Sequence, residues 1–164
     1  MPPLELRWDP SRAYRSFVHE PIAFATIVSS EIVDDGRIVE LPGVLITLDP
    51  QGCVCDLEID RVSSPTEGRQ LPSADAGPWT GPMATTIETS GADPSATYAD
   101  GWLLLRLQGG EGRWHRVAEE PLFLCTSDDW ALLSIAATAY TDPDGSREAQ
   151  WLDEIEGEAR TTAA

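Results

Sequence analysis

From Val44 to Ile59 the chain runs V-L-I-T-L-D-P-Q-G-C-V-C-D-L-E-I, two apolar stretches on either side of Asp49-Pro50-Gln51-Gly52. Pro50 presets the φ of a tight turn and Gly52 can take the positive φ that closes it, so the stretch predicts a β-hairpin. In the second arm Cys53, Cys55, Leu57 and Ile59 alternate with Asp56, Glu58 and Asp60, giving one apolar and one acidic face. Further extended segments are expected at Ile22–Val28, Ile38–Leu41, Thr85–Thr89, Trp102–Leu107 and Arg113–Val117. A second hairpin is expected from Leu122–Thr126 and Ala131–Ala137 across Ser127-Asp128-Asp129. Asp34-Asp35-Gly36 and Gly109-Gly110-Glu111-Gly112 are turn signals between these runs.

Two stretches carry helical spacing instead. Over residues 8–19, Asp9 suits an N-cap and Pro10 a first helical position, and Ala13, Tyr14, Phe17 and Val18 recur at the helical period up to Pro21. After Asp142-Pro143-Asp144-Gly145, Ser146 suits an N-cap and Ala149, Leu152, Ile155 and Ala159 form an apolar stripe. Ser63–Pro82 is rich in Ser, Pro, Gly and Thr and reads as a connecting segment. Laid over Ile46–Ile59 without gaps, Leu122–Ile135 pairs Leu124 with Leu48, Ala131 with Cys55, Leu133 with Leu57 and Ile135 with Ile59, a weak repeat 76 residues apart. The expected fold is β-rich α+β: a mainly antiparallel sheet or half-barrel of about eight strands, with a short N-terminal and an amphipathic C-terminal helix. Residues 1–164 are expected to form one compact domain with related halves, 1–62 and 85–160, joined through 63–84.

The motif Asp49-x-x-Gly52-x-Val54-x-x-Leu57-Glu58-Ile59, preceded by the acidic loop Ser30–Gly36, resembles the second half of a small bacterial domain family of unknown function. The resemblance covers residues 22–62 and departs from the family pattern at Phe24, where a tyrosine is usual. It implies a compact, sheet-rich unit and no known activity.

Charge changes the picture more than composition does. Twenty-eight acids face eleven bases, for a net charge of −17, and every base is Arg. Such a surface repels nucleic acid and anionic lipid and attracts a basic partner. The N-terminus lacks the basic start and apolar core of a signal peptide, no apolar run approaches bilayer length, and three cysteines fit reduced thiols, so a cytoplasmic location is expected.

Specific chemistry is sparse. Cys53-x-Cys55 shares a face with Leu57 and Ile59 and lacks the paired knuckles of structural zinc, so the thiols read as core filler and no metal or cofactor is expected. His19 falls at the predicted end of the first helix, where an imidazole meets the helix dipole favourably. The six tryptophans stand out. If the second-half sheet curls, Trp102, Trp114 and Trp130 could line a cavity, with Arg113, His115 and Arg116 as its polar groups and Trp79 at its mouth. Two functions follow: an acidic, immunity- or antitoxin-like interaction protein covering a basic partner, or a cofactor-independent enzyme or binder of a hydrophobic metabolite. The first expects acids gathered on one face, the second indoles around a void.

Overall fold

The computed structural model describes residues 3–19, 23–31, 35–66, 68–72, 76, 83–89, 91–118 and 121–163, with side chains of the last helix described to Gly157. Its first six strands are β1 (Leu4–Trp8), β2 (Tyr14–His19), β3 (Phe24–Ser29), β4 (Arg37–Leu41), β5 (Val44–Leu48) and β6 (Val54–Ile59). Six more follow: β7 (Met83–Ile87), β8 (Ser95–Ala99), β9 (Trp102–Arg106), β10 (Arg113–Ala118), β11 (Leu122–Thr126) and β12 (Leu132–Thr141), before the helix α1 (Ser146–Ala163). The chain is β-rich, with a curled half-barrel sheet, a small second antiparallel sheet and a C-terminal helix. Among the described residues there are twelve strands where about eight were expected; the additional ones include β2, expected as helix, the short β1, whose Leu4, Leu6 and Trp8 do alternate with Glu5 and Arg7, and β8, which has few apolar residues to mark it.

The β5–β6 hairpin forms around Asp49. Its carboxylate accepts the backbone N–H groups of Gln51 and Cys53, both at 2.9 Å, and Gly52 adopts φ 85°. Leu48 pairs with Val54 and Thr47 with Asp56, so Cys55 is the extra residue of a β-bulge. The bulge moves Val54 into the core and leaves Cys55 beside Arg12, at 3.7 Å. The simple alternation of Cys53 with Cys55 therefore fails, while Leu57 and Ile59 point inward as expected.

The first expected helix is not formed. Asp9 accepts Ser11 N–H at 2.9 Å in a tight local turn, and residues 14–19 are strand β2, antiparallel to β3. The cause is burial on both faces. Tyr14 and Val18 enter the core, whereas Phe17 and His19 are buried on the opposite side, so the strand loses its period-2 signature.

The strand pairing repeats. β4-β5-β6-β3-β2 is one antiparallel run and β10-β11-β12-β9-β8 is the other. Leu57 opposite Ile27 and Ile46 is matched by Ile135 opposite Leu105 and Leu124, each 78 residues further on. The turns match as well. Ser127 repeats Asp49, its Oγ accepting from Asp129 and Ala131, and Trp130 repeats Gly52 with φ 65°. Even the flanking contact recurs: Arg7 N–H donates to Gly52 O at 3.0 Å, and Thr86 N–H to Trp130 O at 2.9 Å. The gapless 76-residue overlay is thus two residues out of register. Two residues is one strand period, so the faces still matched.

β1 and β7, the first strands of the two repeats, pair antiparallel with each other, and Trp8 is fully buried there with its Nε1–H donating to Thr85 Oγ1. The two five-strand runs, hereafter the first and second sheet, are continuous as one ten-stranded sheet through the end of β12, which runs parallel to β2, and Ser63 also bridges Thr97. α1 packs on the outer face of the first sheet. Its inward stripe is Glu148, Trp151 and Leu152, half-buried, and Ile155, buried; Leu152 and Ile155 belong to the stripe expected, whereas Ala149 is exposed. Asp142 acts as the cap in place of Ser146, its carboxylate accepting Arg147 and Glu148 N–H, each at 3.0 Å. Among the described residues no helix is long and apolar enough to cross a membrane.

Candidate functional site

The outer face of the first sheet is laid out by its register. One row runs Phe17, Thr26, Glu58, Leu45, Glu40, and the next Arg15, Val28, Asp56, Thr47, Ile38. α1 covers the β2 side, where the Arg15 guanidinium lies 4.0 Å from the centre of the Trp151 ring. Towards β4, at the sheet edge, the face opens: Glu40 is exposed and Ile38 is 60% exposed. Burial, reinforced by the nearby Glu58 and Glu148 carboxylates, pushes the half-buried Asp56 up to about 6. The three acids of β6 and its end, expected to be alike in water, differ in burial: Asp56 and Glu58 are half-buried and Asp60 is exposed.

Beneath the start of α1, His19 lies buried at the end of β2. Its Nδ1 is 3.1 Å from the Asp142 carbonyl oxygen, and its Nε2 is 2.9 Å from Glu148 Oε2. The latter approach is outside hydrogen-bonding geometry, so Nε2 is a buried nitrogen without a hydrogen bond. His19 thus meets the N-terminus of α1 and not the C-terminus of a helix of its own. Sequence reading missed this group because His19 and Asp142 are 123 residues apart.

A second buried charge cluster is structural. Arg12 pairs with Asp49 and reaches Glu31 at 2.8 Å, tying the 9–12 turn to the β5–β6 hairpin. Burial alone would raise Asp49, but Arg12 and the Cys53 and Gln51 N–H groups outweigh it and hold the carboxyl below its usual range.

The residues expected around one cavity are divided between two faces of the second sheet. Trp114 borders an open cavity of about 700 Å³ on the outer face, next to Arg69, Arg106 and Cys125. Trp102 pairs with Phe123, ring centres 5.9 Å apart. His115 faces the other way, at the register position of the buried Leu124, with Nε2 3.0 Å from Thr126 Oγ1 and Trp130 stacked on it at 5.4 Å. Burial, with Arg113 nearby, lowers the His115 pKa. Arg113 is exposed, and Arg116 Nε–H donates to Ala118 O at 3.2 Å. Trp79 lies outside the described residues. Strand alternation already separates Trp114 and Arg116 from Arg113 and His115.

No protein-family model, curated protein or solved structure matches this chain.

Proposed function

We propose that this chain is a non-enzymatic interaction protein whose open acidic sheet face covers a basic, partly apolar surface of another protein. The supporting observation is Ile38, 60% exposed on the same face as Glu40, Asp56 and Glu58. An apolar side chain with carboxylates around it suits an apolar anchor flanked by Arg or Lys. The net charge of −17 steers such a partner in, and the crowded carboxylates gain more from an incoming cation than isolated ones would.

The test is titration with a labelled basic amphipathic peptide at several salt concentrations. The double variant Glu40→Gln/Glu58→Gln is expected to bind about tenfold more weakly and with a shallower salt dependence. Asp128→Asn/Asp129→Asn, which removes the same charge from an exposed turn of the second repeat, is expected to change little. Equal losses in both variants would reduce the attraction to net charge and defeat the proposal.

A second reading, a small-molecule binder, is favoured by the cavity beside Trp114. Arg69, Arg106, Gln108 and Ser134 on its border suit a polar or anionic ligand better than the hydrophobic metabolite suggested by the indoles alone. Saturable quenching of tryptophan fluorescence, abolished in Trp114→Phe, checks it.

A further inference from the structure

We propose that the end of β2 and the first turn of α1 form a divalent transition-metal site, with His19, Asp142 and Glu148 as its ligands. A ring nitrogen of His19 and one carboxylate oxygen each from Asp142 and Glu148 all lie within 4.8 Å of one another. Ligands about 2.0–2.2 Å from a zinc-sized ion fall within that spread. Two of the three residues are buried and the third is half-buried.

The donors are held in place before any ion arrives. Asp142 is fully buried, its N–H donates to Val18 O at 2.8 Å, and its carboxylate is fixed by two N–H groups of α1. Each of its oxygens keeps a lone pair for a metal.

The histidine supplies the independent indication. A ring Nδ1–H donated to the Asp142 carbonyl is the arrangement that fixes the tautomer of a metal-binding imidazole and leaves Nε2 with its lone pair. His19 is 8% exposed, and Nε2 has no hydrogen bond despite a carboxylate oxygen 2.9 Å away. A neutral Nε2 lone pair facing a carboxylate at that distance is repulsive unless a cation, either a metal ion or a second ring proton, is shared between them. The N-terminus of α1 opposes a cation with about half a positive charge, against two full negative charges on the ligands. One nitrogen and two oxygens suit Zn²⁺ or Mn²⁺ better than Mg²⁺ or Ca²⁺, which favour oxygen alone.

The experiment uses the untagged full chain, stripped with chelator and titrated with Zn²⁺ alone by calorimetry and thermal shift. One ion per chain and a raised melting temperature are expected, with no rise from the same concentration of Mg²⁺. Glu148→Gln, at a half-buried position that should still fold, is expected to weaken Zn²⁺ binding at least tenfold, and His19→Ala to abolish the thermal shift. Cys53→Ser/Cys55→Ser should bind as the parent does. No stoichiometric binding, undiminished binding in Glu148→Gln, or a loss confined to the cysteine variant would each overturn the assignment. Glu40→Gln/Glu58→Gln is expected to keep the metal, so failure of the docking face leaves this result standing.

Discussion

Asp56 carries a cost in its ionised form. Its folded pKa stands near 6, above the usual carboxylate value, so the ionised form is the destabilised one. As pH falls through about 6 the folded protein takes up a proton before the unfolded chain does, and the cost fades until both are protonated. In metal-free buffer, Asp56→Asn is therefore expected to stabilise the protein by about 1–2 kcal/mol at pH 7, allowing for solvent on the exposed side, and by nothing measurable below about pH 4. Chemical denaturation at the two pH values checks this, and an equal effect at both would contradict it. Little of this was visible along the chain. Period-2 spacing places Asp56 on the outward face, but α1, which brings Glu148 towards it, arrives from the far end of the sequence. The same distance hid His19, whose partners Asp142 and Glu148 belong to the last turn and helix.

At the scale of elements, turn chemistry was the most legible signal. Asp49 and Gly52 close their hairpin through local hydrogen bonds that need nothing from the rest of the fold. Residues 14–19 were misread because a strand covered on both sides has no polar face to mark its period. The start of α1 was legible and its stripe was so in part: Leu152 and Ile155 are covered as expected, whereas Trp151 docks against Arg15 and Ala149 remains in solvent. Gly112 shows a constraint of another kind. A Cβ there would lie 2.4 Å from Thr126 O and 2.9 Å from Leu133 Cδ1, where β10 starts alongside β11. Gly112→Ala is expected to cost about 1–3 kcal/mol and lower the melting temperature by several degrees. Gly157→Ala on α1, where an added Cβ would meet nothing outside its own helix backbone within 4 Å, is expected to raise it slightly through helix propensity. Calorimetry of the pair separates close approach from a general intolerance of alanine.

At the scale of the molecule, two equivalent five-strand runs carry different decoration. The outer face of the first is covered on one side by α1 and left acidic on the other, whereas the outer face of the second borders the cavity beside Trp114. The hairpin patterns alone hinted at the repeat, but apolar spacing does not fix its offset, because a slip of two residues keeps every side chain on the same face. The acidic, Ile38-centred surface is consequently present on one repeat only, since the sheet of the second carries Trp114 and Arg116 along the corresponding edge strand. The most direct measurement is a backbone footprint, by amide hydrogen exchange or NMR shift perturbation, with a basic amphipathic peptide at physiological salt. Docking on the first repeat predicts protection concentrated in 37–48 and 54–60, with 113–126 unchanged. Protection spread over every acidic surface, or confined to the second repeat, would contradict it.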